Sequence, residues 1–305
     1  MLQKIIINEN VSWDKSLEKN PEKFSVILNS HTIEEIVKNK IKLKNHNVND
    51  FPTLKKEILE KKKQILLEGC GVMIILGKNF TSFEKEERKN IYIIISKIMG
   101  QLLIQSTKNE LYIEIKDIGK TLETGGRYHQ TKQGGSYHTD GYHMYGDTPN
   151  YVGLFCINPA KEGGISKFVS AYTIHNELFK KNRELLEILY EKMYIDKREY
   201  KEGEPKVRYD STFEYKNNKL FFKYQREYVE RGYKIMNLKI SEKQKKALDI
   251  LDKELQNENN VLTYDLKSGD MMFSNNKWLI HDRTDFIDFD EPDLKRMLIR
   301  TWIRE

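Results

Sequence analysis

The chain has 305 residues, 38% hydrophobic and 32% charged, and a net charge of +6 from 52 Lys and Arg against 46 Asp and Glu. That length suits one large or two small domains with a sizeable core, and the composition excludes low-complexity and collagenous chains. No run approaches eighteen apolar residues, which disfavours a membrane-spanning helix. The positive charge is dispersed: Lys61-Lys62-Lys63 and Lys243 to Lys246 fall in helical patterns and read as solvated faces. No RNA- or DNA-binding motif accompanies them, so no nucleic-acid partner is expected.

Residues 1–50 are polar and lysine-rich, with strand-like patches. The Ile5-Ile6-Ile7 run is too short for a secretory h-region. Asp50-Phe51-Pro52-Thr53 opens a helix through Lys63, with Pro in the first turn, where a missing N–H costs least. A strand follows over Gly71 to Leu76, then a helix over about Ser82 to Leu103, in which Ile91, Ile94, Ile95, Ile98 and Leu102 recur at helical spacing. Thr121 to Gly135 reads as a glycine-rich loop, and Tyr151 to Ile157 as a buried strand. One helix is expected from Ile174 to Met193 and another from Ser241 to Gln256, the latter capped by Ser241 with Gln244 three residues on. Between them, Glu204 to Tyr233 is rich in aromatic and charged residues and reads as strands plus a lid. Without repeats or linkers, the expectation is a single domain over 1–305, with an N-terminal extension (1–50) and a helical, lid-bearing insertion (171–260). Cys70 and Cys156 lie in apolar runs without zinc spacing, which fits buried reduced thiols in a cytoplasmic protein.

The chemistry concentrates in Tyr137-His138-Thr139-Asp140-Gly141. In an extended segment His138 and Asp140 share a face while Thr139 takes the other, so one strand end offers an imidazole and a carboxylate to one ion. His281, in a second strand-like segment, completes the two-histidine, one-carboxylate triad expected of non-haem Fe(II) oxygenases, which leaves three positions open. His-x-Asp alone is weak evidence, since a turn with a surface histidine gives the same pattern. The C-terminal segment strengthens it. Arg296 and Arg300 share a strand face, and an inward arginine needs a partner such as the distal carboxylate of 2-oxoglutarate. Arg300 then serves either an acidic group of the prime substrate or a surface ion pair.

These motifs together resemble the taurine dioxygenase and clavaminate synthase-like superfamily of Fe(II)/2-oxoglutarate-dependent oxygenases, from about Phe51 to the end. Leu67 to Gly77 resembles the early strand of that family, His138-Thr139-Asp140-Gly141 the proximal metal motif, Asn275-Asn276 to Phe286 the distal-histidine segment, and Arg296 to Trp302 the co-substrate strand. In Ala160 to Ser166 a Gly-Gly pair precedes a hydroxyl residue. The resemblance implies a mainly β fold with flanking helices, a double-stranded β-helix of the jelly-roll, cupin-like type. It implies His138, Asp140 and His281 as iron ligands, Arg296 and Ser166 as 2-oxoglutarate contacts, and Arg300 at a substrate acid. Ser166 stands where Thr is frequent, and Asp282 and Asp285 place acidic charge near the distal histidine.

The implied activity uses Fe(II), 2-oxoglutarate and O2 to oxidise, chiefly hydroxylate, an unactivated C–H bond of a small molecule, an amino acid or other carboxylate, with release of succinate and CO2. Asp140 argues against halogenation, since halogenating relatives replace it with a small residue. Desaturation or cyclisation, a protein or nucleic-acid substrate, and a non-catalytic ligand sensor are the alternatives. Tyr142 and Arg226 are further substrate candidates. Local roles are expected for His129, His143 and His175.

Overall fold

The computed structural model describes residues 10–106, 108–121, 128–141, 148–198, 200 and 202–305. The Ile5–Ile7 run, Tyr142 and His143 lie outside the described residues, as do residues 122–127 of the glycine-rich loop.

Two sheets carry the molecule. The larger has seven strands, in the order Ser25–Val26, Val72–Ile75, Met271–Asn275, Tyr151–Asn158, Met297–Arg304 and Gln101–Leu102, with Tyr112–Ile115 also paired to Met297–Arg304. The smaller pairs Val261–Tyr264, Ser166–Ser170 and Leu279–Arg283. Neighbours distant in sequence lie side by side, and all these pairings are antiparallel except Ser25–Val26 with Val72–Ile75. Side chains from both sheets line a common cavity, among them Val152, Leu154, Met272 and Leu298 from the larger and Ser166, Phe168 and His281 from the smaller. This is the jelly-roll, cupin-like architecture.

Helix Lys85–Met99 covers the outer face of the larger sheet. Glu84 and Glu87 form a reciprocal capping box that starts it, three residues later than the apolar spacing suggests. Leu102 leaves the helix and pairs with Ile303. Inside, Tyr92 stacks on Phe155 and Phe273 and its hydroxyl meets Thr301 Oγ1 at 2.7 Å, so a fully buried phenol keeps a partner. The helix expected after Phe51 runs from Pro52 to Lys61 and continues as a π-helical turn, Lys62–Leu67. The N-terminal segment is no loose appendage, since Trp13, Leu17, Phe24 and Leu43 are buried and Trp13 Nε1 donates to Cys70 O.

The segment expected as one helix from Ile174 to Met193 is two, Ala171–Lys181 and Arg183–Leu189, followed by strand Lys192–Asp196. Asn182 leaves helical geometry, at φ −145° and ψ 51°, and Met193 and Ile195 then alternate into the core with the period of a strand. Phe213–Lys216 and Lys219–Phe222 form a hairpin whose two-residue turn, Asn217-Asn218, has both φ positive, as the twist of a tight hairpin demands. Ser241 caps Glu242–Leu255 with the expected capping box. Among the described residues, no helix is long and apolar enough to cross a membrane.

Candidate active site

His138 and His281 form an isolated antiparallel bridge: His138 N donates to His281 O at 3.0 Å and His281 N to His138 O at 3.1 Å. Residues paired this way project side chains to the same side, which brings two imidazoles 143 positions apart in sequence to a ring separation of 4.4 Å. Alternation then places Asp140 beside them and Thr139 on the reverse face. Both Nε2 atoms approach one carboxylate oxygen, with His138 at 3.5 Å and His281 at 3.9 Å from Asp140 Oδ1. One ligand atom from each residue fits within 4.8 Å of the others, and all three side chains are largely buried. Adjacent ligands of an octahedral ion sit about 3 Å apart, so two imidazoles and one carboxylate on one side of a cavity suit a divalent ion with little rearrangement.

The three side chains are braced from several directions. His138 Nδ1 donates to Ser136 O at 2.6 Å, which leaves Nε2 as the lone-pair nitrogen facing Asp140. The Asn276 side chain grips the backbone of Asp140, accepting from its N–H at 2.8 Å and donating to its carbonyl at 2.9 Å and to Pro149 O at 3.0 Å. Thr139, pointing away, exchanges hydrogen bonds with Tyr224 through Thr139 N to Tyr224 O and Tyr224 N to Thr139 Oγ1. Gly141 turns the chain just beyond Asp140 at φ +68°.

The Asp140 carboxylate accepts from Arg300 Nη1 at 3.1 and 3.3 Å and from Trp302 Nε1 at 2.8 Å. Burial opposes its ionisation, but the Arg300 charge beside it outweighs burial and holds the carboxyl well below its usual range. For His281, burial acts first and His138 adds to it, pushing the imidazole down to about 3, so it stands neutral as a metal ligand must. Arg300 Nε is in turn held by Gln105 Oε1 at 2.9 Å, and Gln105 Nε2 is anchored on Leu111 O and Arg300 O.

Farther along the cavity stand Ser166, Arg283 and Arg296. Gly164, at φ +71°, gives Arg296 its room, since a Cβ there would meet Arg296 Nε at 3.1 Å. Burial, then the nearby Arg283, pushes Arg296 down to about 10, and its buried Nη1 donates to nothing among the described residues. A buried guanidinium with an unused donor is costly and fits a carboxylate ligand. The acidic departures near His281 are clamps on the loop before His138: Asp282 Oδ1 accepts from Gly135 N, Ser136 N and Tyr128 Oη, and Asp285 Oδ1 accepts from Gly134 N. Burial and Asp282 raise the Tyr128 phenol, keeping it a donor.

The structure thus brings His138, Asp140, His281, Ser166, Arg296 and Arg300 together around one cavity. It does not bring Arg226. That guanidinium is taken by Glu230 of its own helix, Arg226–Ile235, and by Asp249 and Asp252, which join that helix to Glu242–Leu255. Among the described residues, none from 171 to 260 lines the cavity. Through Tyr224 the insertion instead supports the metal motif from behind. His175 is buried among Phe179, Tyr190 and Phe213. Sequence reading passed over Asn276, Gln105 and Trp302 as functional residues, because their partners lie more than a hundred residues away. Arg283 did carry a signal, being two positions from His281 on the same strand.

The family described as taurine catabolism dioxygenase TauD, TfdA family matches residues 36–302. FR-33289 synthase of Streptomyces rubellomurinus is 26% identical over 242 residues, covering 78% of this chain and 70% of that protein. In fold, the chain is similar to asparagine oxygenase in complex with Fe(II), 2S,3S-3-hydroxyasparagine and succinate, with a TM-score of 0.69, 13% identity, and 92% of this chain and 93% of that one covered. It is similar too to the non-heme iron oxygenase OrfP in complex with Fe, succinate and (3S)-hydroxy-L-Arg, with a TM-score of 0.68 and the same identity and coverage.

Proposed function

Since the chain belongs to the TauD, TfdA dioxygenase family and is a 2-oxoglutarate-dependent non-haem iron dioxygenase, we propose that His138, Asp140 and His281 hold its Fe(II), that Arg296 and Ser166 hold 2-oxoglutarate, and that the enzyme hydroxylates an amino acid or a similar small carboxylate. The observation that carries the metal assignment is the His138–His281 backbone bridge with Asp140 at its end, which points three ligand atoms at one place. When bound, iron and 2-oxoglutarate supply O2 activation coupled to release of succinate and CO2.

The protein's own part is positional. The hydrogen bond to Ser136 fixes the His138 tautomer, Asn276 fixes the carboxylate, and the Arg296 fork matches the far end of a dicarboxylate bidentately. Arg300 holds Asp140 on one side and lines the cavity on the other, which suits it to an anionic group of the prime substrate. The amino-acid derivatives named in the asparagine oxygenase and OrfP complexes support that substrate class. The buried free thiols of Cys70 and Cys156, raised by burial to about 11 and about 12, support a reducing, cytoplasmic setting.

The test is succinate formation by the purified, Fe(II)-loaded enzyme with 2-oxoglutarate and a panel of amino acids and other small carboxylates. Stimulation by one class, with a product sixteen mass units heavier as an added oxygen requires, supports hydroxylation. A product two units lighter would show desaturation or cyclisation. No stimulation by any small carboxylate would contradict the substrate class.

A further inference from the structure

We propose that Arg283 is a second cation of the co-substrate pocket, sharing with Arg296 the distal carboxylate of 2-oxoglutarate; this rests on the pocket reading given above. Strand geometry puts it there. Arg283 lies two residues beyond His281 and takes the same face, and in the antiparallel register it stands opposite Ser166, as His281 stands opposite Phe168. Arg283, Ser166 and Arg296 line the same cavity. The two guanidinium groups converge on one ring, 4.7 Å (Arg283) and 5.0 Å (Arg296) from the centre of Phe286.

Both arginines are buried, at 8% and 5% exposure, and among the described residues neither forms an ion pair with a carboxylate. The Nη atoms of Arg283 donate to the carbonyls of Thr131 and Gln133, while its Nε, like Nη1 of Arg296, is buried with no partner among the described residues. Backbone carbonyls satisfy hydrogen bonds but carry no net charge. Two like charges so placed repel each other in a medium of low polarity, and an anion between them removes that cost. Arg296 offers the carboxylate its fork; Arg283 offers its charge and one N–H. The contrasting role is that of a strut, in which Arg283 only ties residues 131 and 133 to the strand.

Anaerobic calorimetry of the Fe(II)-loaded protein separates the two roles, using 2-oxoglutarate and 2-oxobutyrate, which shares the 2-oxo acid end but lacks the second carboxylate. Arg283→Gln is expected to weaken 2-oxoglutarate binding by about tenfold to a hundredfold, the usual worth of a hydrogen bond to a charged group. Arg283→Lys should recover most of that loss, and 2-oxobutyrate binding should barely change in either variant. Equal losses for Gln and Lys, or an equal loss for both acids, would overturn the proposal in favour of the strut. If Arg283→Gln does not fold, Arg296→Ala decides: with Arg283 intact it should keep a residual preference for 2-oxoglutarate over 2-oxobutyrate, and no preference overturns the assignment. A wild-type protein that binds Fe(II) but neither acid would overturn the pocket reading itself, and this proposal with it.

Discussion

The two ends of the cavity are built on opposite principles. At the histidine end the described polar groups answer one another: Asp140 is met by Arg300 and Trp302, its backbone by Asn276, and His138 Nδ1 by Ser136. At the arginine end two buried guanidinium groups meet one ring, Phe286, and each keeps a donor with no partner among the described residues. The first end is assembled within the chain, where Arg300 partly offsets the charge of Asp140. On the proposed reading the second is preorganised for an anion from outside and carries the repulsion until one arrives. The proposed assignments then make metal binding depend on how well the chain holds its own groups, and co-substrate binding on charge.

The largest effect belongs to the ligands. His138→Ala or Asp140→Ala should reduce Fe(II)-dependent 2-oxoglutarate turnover below detection in a succinate assay, and undiminished turnover in either variant would remove the triad from the account. Next, Arg296→Ala should raise the 2-oxoglutarate dissociation constant on the order of a hundredfold while Fe(II) affinity holds, as expected when a buried charge loses its partner. With Fe(II) held saturating, since Arg300 also braces Asp140, Arg300→Ala should spare 2-oxoglutarate and impair the prime substrate; matching losses on both ligands under those conditions would mean the two arginines do not divide the cavity.

Asn276→Ala sharpens the other side of the contrast. Removing a group that orients a ligand typically costs about tenfold to a hundredfold in metal affinity. Fe(II) titration should show that loss, and a variant with wild-type affinity would mean that the Asn276 clamp does not position Asp140. The smallest effect at neutral pH comes from outside both ends. Burial pushes His175 from 6.5 down to about 4. Between those values the unfolded chain binds a proton that the folded chain does not, so stability falls as pH drops through that window, by up to about 3 kcal/mol, and is unaffected above it. Denaturant melts of His175→Leu should lose that acid-side decline, and an unchanged pH profile would show that another group sets it.

Legibility in the sequence followed distance along the chain. His138 and Asp140 could be read together because the two-residue period of a strand is local, and the capping box at Ser241 because it spans three residues. The long helix after Ile174 breaks at Asn182, which leaves helical geometry between two helices, and it ends by Leu189, beyond which the apolar period turns from helical to alternating at Met193 and Ile195. Arg226 and its aromatic neighbourhood looked like a lid because composition records what a segment contains, not which side of the site it packs against. Asn276, Gln105 and Trp302 act on groups 136, 195 and 162 residues away, and nothing in a single sequence pairs them.

On the proposed reading one cavity holds Fe(II) at His138, Asp140 and His281 and 2-oxoglutarate at Arg296. The most direct test of that reading is an anaerobic titration of the apo-protein with Fe(II) and then 2-oxoglutarate, following the weak visible charge-transfer band of the chelate. A band that saturates in the wild type, vanishes in Asp140→Ala and needs far more 2-oxoglutarate in Arg296→Ala is the expected result. Folded protein with bound metal and no band would contradict the account.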